Sequence, residues 1–143
     1  MPSFQVFMSG DLEFIENRIL SFLETNRQLD RKSFKYTCTK LQEIGGMRPS
    51  YFKEQHGANI NLEIDLDLFS NSNQLYEEVG ELIRKLLNEG NSDFIFCHED
   101  GDTYFYRISE KILAVKHIHE SNDAFDFKAI LKGQNFEFGK GLD

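Results

Sequence analysis

The chain has 143 residues, 40% of them hydrophobic, with 14 Phe, 5 Tyr, 2 Pro, 2 Cys and a net charge of −8. That length and apolar content suffice for one domain, residues 1–143, whose core needs no disulfide or metal, and they exclude a disordered or low-complexity chain. The acidic balance disfavours nucleic-acid phosphates and anionic lipid as partners, and no apolar run nears the roughly eighteen residues of a membrane helix.

The N-terminus MPSFQVFMSGD has no basic region before its short apolar run, so it reads as a first strand over Ser3–Met8 and not as a targeting segment. Ser9-Gly10-Asp11 breaks that strand, and Asp11 is a good N-cap. Leu12, Ile15, Ile19, Phe22 and Leu23 then recur at helical spacing to about Thr25. From Lys32 to Leu41, Phe34, Tyr36 and Cys38 alternate with Lys35, Thr37 and Thr39, a strand pattern. Gly45-Gly46 and Pro49 mark a loop, and the following SYFKEQHG carries Tyr51 and Phe52 without clear periodicity.

Ala58 to Phe69 is the most regular strand. Leu62, Ile64, Leu66 and Leu68 fall on one face, and Glu63, Asp65 and Asp67 on the other. Asn71-Ser72-Asn73 caps a second helix with an apolar stripe of Leu75, Val79, Leu82, Ile83, Leu86 and Leu87. Its charges follow the dipole, with Glu77 and Glu78 in the first turn, Arg84 and Lys85 late, and Gly90 as the stop. Gly80 within it is explained by close packing of helix on sheet. Strands follow at Asp93–His98, Thr103–Ile108 and Lys111–His119, the first two joined by a tight turn at Asp100-Gly101. The segment from Ala124 onward fits a short helix or another strand. The expectation is a two-layer α+β domain. Its mostly antiparallel sheet has five or six strands, two amphipathic helices cover one face, and the other is wet.

Charge is unevenly placed along the chain. Residues 1–53 hold 8 basic and 6 acidic side chains, residues 54–126 hold 5 and 16, and residues 127–143 hold 3 and 2. The basic stretch Arg27, Arg31, Lys32, Lys35, Lys40, Arg48 and Lys53, interleaved with aromatics, weakly suits nucleic acid, but the overall acidity argues against that. Two accounts compete for the carboxylate stripe. In one, neighbouring strands supply Lys35, Arg107 or Lys116 as cross-strand partners. In the other, the stripe docks on a basic protein.

Catalytic signals are weak. His117 and His119 share one strand face, a spacing that metal sites use, and Cys97 lies within reach in a meander. No CxxC or HExxH completes a ligand set, so no metal or other cofactor is expected. His98 points to the opposite face from Cys97 and cannot be its base, which leaves the thiol as a small buried hydrophobe. Gly10 and Gly45-Gly46 lack the residues of a phosphate loop. With free thiols fitting a reducing compartment, the expectation is a cytoplasmic, non-catalytic binding protein. By size and acidity the form expected is an immunity-type inhibitor of a basic bacterial toxin such as a nuclease. The contact residues would be Glu63, Asp65, Asp67, Glu99, Asp100, Asp102, Tyr51 and Phe52. The alternatives are an adaptor domain, or a small enzyme or metal-binding domain using Cys97, His117 and His119.

Overall fold

A computed structural model describes residues 2–25, 34–70, 72–116 and 125–142. The elements run β1 (Ser3–Met8), α1 (Leu12–Thr25), β2 (Phe34–Lys40), α2 (Pro49–His56), β3 (Leu62–Leu68), α3 (Asn73–Leu87), β4 (Phe94–His98), β5 (Thr103–Ile108), β6 (Lys111–Val115), α4 (Phe127–Ile130) and β7 (Phe136–Gly139). The strands form a single sheet in the order β2-β3-β1-β4-β5-β6-β7. Every pairing is antiparallel except β6 with β7. The architecture is α+β as expected, with seven strands where the sequence suggested five or six. The extra strand comes from the C-terminal segment, which supplies both a short helix and an edge strand.

One face of the sheet carries the main core. Leu62, Ile64, Leu66 and Leu68 are fully buried there, under Ile15, Ile19 and Phe22 of α1 and the Leu82 and Leu86 stripe of α3. Each such side chain contributes about 1.5–3 kcal/mol by leaving water. β3 is paired on both sides, by β1 and β2. Asp11 caps α1 by accepting the Phe14 N–H at 2.9 Å. Gly10 packs closely beside it: a Cβ there would sit 3.2 Å from the Ile15 side chain, which would have to shift by a few tenths of an ångström. Ser72 caps α3, its Oγ accepting the Leu75 N–H at 3.1 Å. The first turn of α3 holds no acid, and the helix stops at Asn88, short of Gly90. Gly80 faces α4: a Cβ would sit 3.4 Å from Ile130, so the close approach is helix to helix and not helix to sheet.

The second face is not simply wet. Phe7, Phe52, Ala58, Ile60, Ile95, Cys97 and Tyr106 form a smaller core there. It is covered by α2 and by the C-terminal segment, where Tyr106 Oη donates to Lys140 O at 3.2 Å. β4 therefore has both faces occupied, which accounts for its nearly continuous apolar run. A register shift between Phe96 and Cys97 places an extra residue in β5, so Tyr104 and Phe105 both join the main core.

Candidate functional site

α2 shapes the second face and was not visible as a helix from apolar periodicity. Pro49 stands at its first turn, with its φ preset for helix. Gly57 ends it in the left-handed region at φ 66°, its N–H donating to Lys53 O at 3.1 Å. The spacing of this Pro and Gly is the sequence signal that marks the helix. Glu43 anchors its start, accepting from Ser50 N at 3.0 Å and from Ser50 Oγ at 2.6 Å. Phe52 points inward onto Phe7, ring centroids 5.0 Å apart.

The carboxylates of β3 lie on this same face. Strand register sets their neighbours in three rows: Lys35–Asp67–Ser3, Thr37–Asp65–Gln5–Cys97 and Thr39–Glu63–Phe7–Ile95. Neutral donors hold two of them. Asp67 accepts from Ser3 Oγ at 2.6 Å, and Asp65 accepts from Gln5 Nε2 at 3.0 Å and Thr37 Oγ1 at 3.3 Å. Among the described residues no lysine or arginine forms an ion pair with the stripe. Arg107 lies on the helix-covered face, 3% exposed, with Nε donating to Ser92 O at 2.8 Å. Lys116 follows β6, four strands from β3. Neither is a cross-strand neighbour. Lys35 alone stands in register, opposite Asp67.

Within the stripe, Glu63 has a strongly shifted titration. Burial first, then the hydrogen bond and negative charge of Asp65, raise its carboxyl from an ordinary 4.5 to about 7. At neutral pH this pair therefore carries less than two full charges.

The β4–β5 hairpin brings the second acidic group. His98 N donates to Asp102 O at 2.8 Å and Gly101 N to His98 O at 2.9 Å, with Gly101 at φ 102°. The turn is wider than the two-residue type expected for Asp-Gly, because Glu99 also lies in it. Glu99, Asp100 and Asp102 are exposed. Asp100 Oδ1 accepts the Asp102 N–H at 3.0 Å and lies 3.2 Å from His98 Nδ1.

Between α2 and this hairpin lies a hollow of about 270 Å³. Gln5, Phe7, Ile95 and Cys97 line it on the sheet side, Met47, Tyr51, Phe52 and His56 on the α2 side, and Glu99, Asp100 and Gly101 on the hairpin side. Tyr51, Phe52, Glu99 and Asp100, widely spaced in sequence, thus meet at one site. Glu63 and Asp65 adjoin it through Phe7 and Gln5. Asp67 lies one row farther out and Asp102 just past the hollow. Phe52, expected among the exposed contact residues, is instead 3% exposed and belongs to the second core, whereas Tyr51 is only partly buried.

The chain matches no known family model, no curated protein and no solved structure. The functional reading therefore rests on the geometry of this face.

Other candidates carry less. Burial, then the charges of Glu63, Asp100 and Asp65, push the Cys97 thiol up to about 12, so it stays protonated at neutral pH. Both cysteines are free. Among the described residues no cluster of three or more His, Cys, Asp or Glu is placed to hold a metal. His117 and His119 lie outside the described residues, as do Arg27, Arg31 and Lys32. A larger hollow of about 650 Å³ between α3 and α4 mixes Glu77, Glu81 and Asp126 with Arg84 and Lys132. Its charges nearly balance, so it favours no one sign of ligand. No described helix is long and apolar enough to cross a membrane.

Proposed function

We propose that this protein is a non-catalytic binding module whose acidic face docks on a basic protein partner. One observation carries the reading. Of six carboxyl groups on β3 and the β4–β5 hairpin, two line a mostly apolar hollow, two adjoin it and two lie just beyond, and among the described residues no lysine or arginine pairs with them. Such a face gains association rate and specificity from opposite charge on a partner. The finer form of the proposal is a cytoplasmic immunity-type inhibitor of a basic toxin such as a nuclease, whose substrate cleft would be complementary in charge. An adaptor role is the second reading. It is favoured by Ile44 and Met47, 82% and 48% exposed in the loop that leads into α2, of which Met47 also lines the hollow. The test is affinity capture from the source cell at low and high salt, followed by association kinetics of the captured protein with a Glu63→Gln, Asp65→Asn, Asp67→Asn variant. A basic protein lost at high salt, and slowed by the variant, supports docking through the acids. A partner indifferent to both, but lost on Ile44→Ser with Met47→Ser, supports the adaptor.

A further inference from the structure

We propose that the hollow between α2 and the β4–β5 hairpin seats a single arginine side chain of the basic partner. The inference rests on the docking reading above and names the partner's anchor. At about 270 Å³ the hollow falls just below the roughly 300–1,000 Å³ of small-molecule sites, which suits one inserted side chain better than a cofactor. Its walls and its mouth ask for different things of that side chain. Met47 and Tyr51 offer apolar and aromatic surface over a floor of buried Phe7, Phe52 and Ile95, which a methylene stem can cover. Glu99 and Asp100 stand exposed at the hairpin side, and Asp65 is held one residue away by Gln5. Asp100 uses Oδ1 within the turn, and among the described residues Oδ2 has no hydrogen-bond partner.

A side chain with an apolar stem and a cationic head fits both. Arginine fits better than lysine, for a physical reason. The guanidinium is planar and weakly hydrated, stacks on aromatic rings, and spreads five N–H donors that could reach Glu99 and Asp100 together. An ammonium is a compact, strongly hydrated charge that loses more water on entering an aromatic-walled hollow. Buried aromatic and arginine contacts of this kind carry much of the energy of protein interfaces.

The probe is the peptide acetyl-Gly-Arg-Gly-amide, titrated into isotope-labelled protein and followed by amide chemical shifts. Its comparators are the same peptide with lysine and with citrulline, the neutral isostere of arginine. The expected result is saturable shifts confined to Gln5, Tyr51, Cys97 and Glu99 to Gly101. The lysine peptide should bind several-fold more weakly and the citrulline peptide at least about tenfold more weakly. Asp100→Asn and Tyr51→Ala should each weaken the arginine peptide about three- to tenfold, while Tyr51→Phe retains binding. Each variant is first shown to keep the parent spectrum away from the hollow. Equal binding of the arginine and citrulline peptides, or shifts that map to the α3–α4 hollow, would overturn the seat. So would a captured basic partner that needs the β3 carboxylates but ignores Asp100→Asn and Tyr51→Ala, although the docking reading would then stand. Specific arginine-peptide binding supports the seat even if no partner depends on the stripe, and in that case the broader docking reading falls.

Discussion

Glu63 shows how a strand position sets the charge of a surface. Its carboxyl ordinarily titrates at 4.5 and in the fold at about 7, so the folded state holds the proton more tightly than the unfolded chain. Stability linked to this group is complete below about pH 4.5 and is lost as pH rises to about 7. Glu63→Gln removes the titration, so the variant should gain stability over the parent as pH goes from 4.5 to 8. Urea unfolding at both ends of that window checks this; an equal difference at the two pH values would mean that Glu63 ionises freely. On the other side of the same strand, Leu66 is completely buried between β1, β2 and the helices. Leu66→Ala should cost about 2–5 kcal/mol, and a loss below about 0.5 kcal/mol by denaturant unfolding would contradict its place in the core.

Two elements, α2 and the β5–β6 hairpin, carry costs that the rest of the fold supports. α2 is held down by one large inward side chain, Phe52, the helix's only buried residue. Phe52→Ala should cost about 3–5 kcal/mol if the helix stays seated. If the helix lifts instead, its amides should lose hydrogen-exchange protection while those of β3 keep theirs. The β5–β6 hairpin turns through Ser109 and Glu110 at φ 54° and 68°, the left-handed region that a two-residue turn demands and that glycine suits better. The buried Asp93 braces it, Oδ1 accepting the Ser109 N–H at 3.0 Å. Glu110→Gly should therefore stabilise the protein by up to about 1 kcal/mol, read as a higher denaturation midpoint. A destabilised variant would show that the turn is not strained.

For the molecule as a whole, the −8 charge matters less than the local grouping of Glu63, Asp65 and Asp67 on one strand with Glu99, Asp100 and Asp102 on the nearby hairpin, since α1 and α3 carry further acids on the other face. Replacing Glu63, Asp65 and Asp67 by Gln, Asn and Asn should slow association with a basic partner and flatten its salt dependence, with a smaller change in dissociation. Because Glu63 titrates near 7, the difference between parent and variant should be larger at pH 8 than at pH 6. Pairing of Asp67 with Lys35 predicts the reverse pattern, a small loss of stability and unchanged association. Measuring both quantities on one variant separates the two accounts.

What the sequence by itself determined was whatever follows from period and local chemistry. The alternation of Leu62 to Leu68 with Glu63 to Asp67 marked β3 and its inner face, the 3.6-residue stripe marked α3, and Asp11 and Ser72 were legible as caps. The acids at 63–67 and 99–102 were legible as charge. α2 escaped because eight residues with one buried side chain show no periodicity, although Pro49 and Gly57 bracket it. Only the tertiary structure decided that Arg107 sits across the sheet from the stripe, that Phe52 is core, and that Tyr51, Glu99 and Asp100 share a hollow beside Asp65. Those outcomes depend on which strands lie side by side and in what register. Gln5 meets Asp65 and Cys97 because β1 is flanked by strands that lie about sixty and ninety residues farther along the chain. That pairing is set by the burial of both sheet faces together, a property that no local run of residues contains.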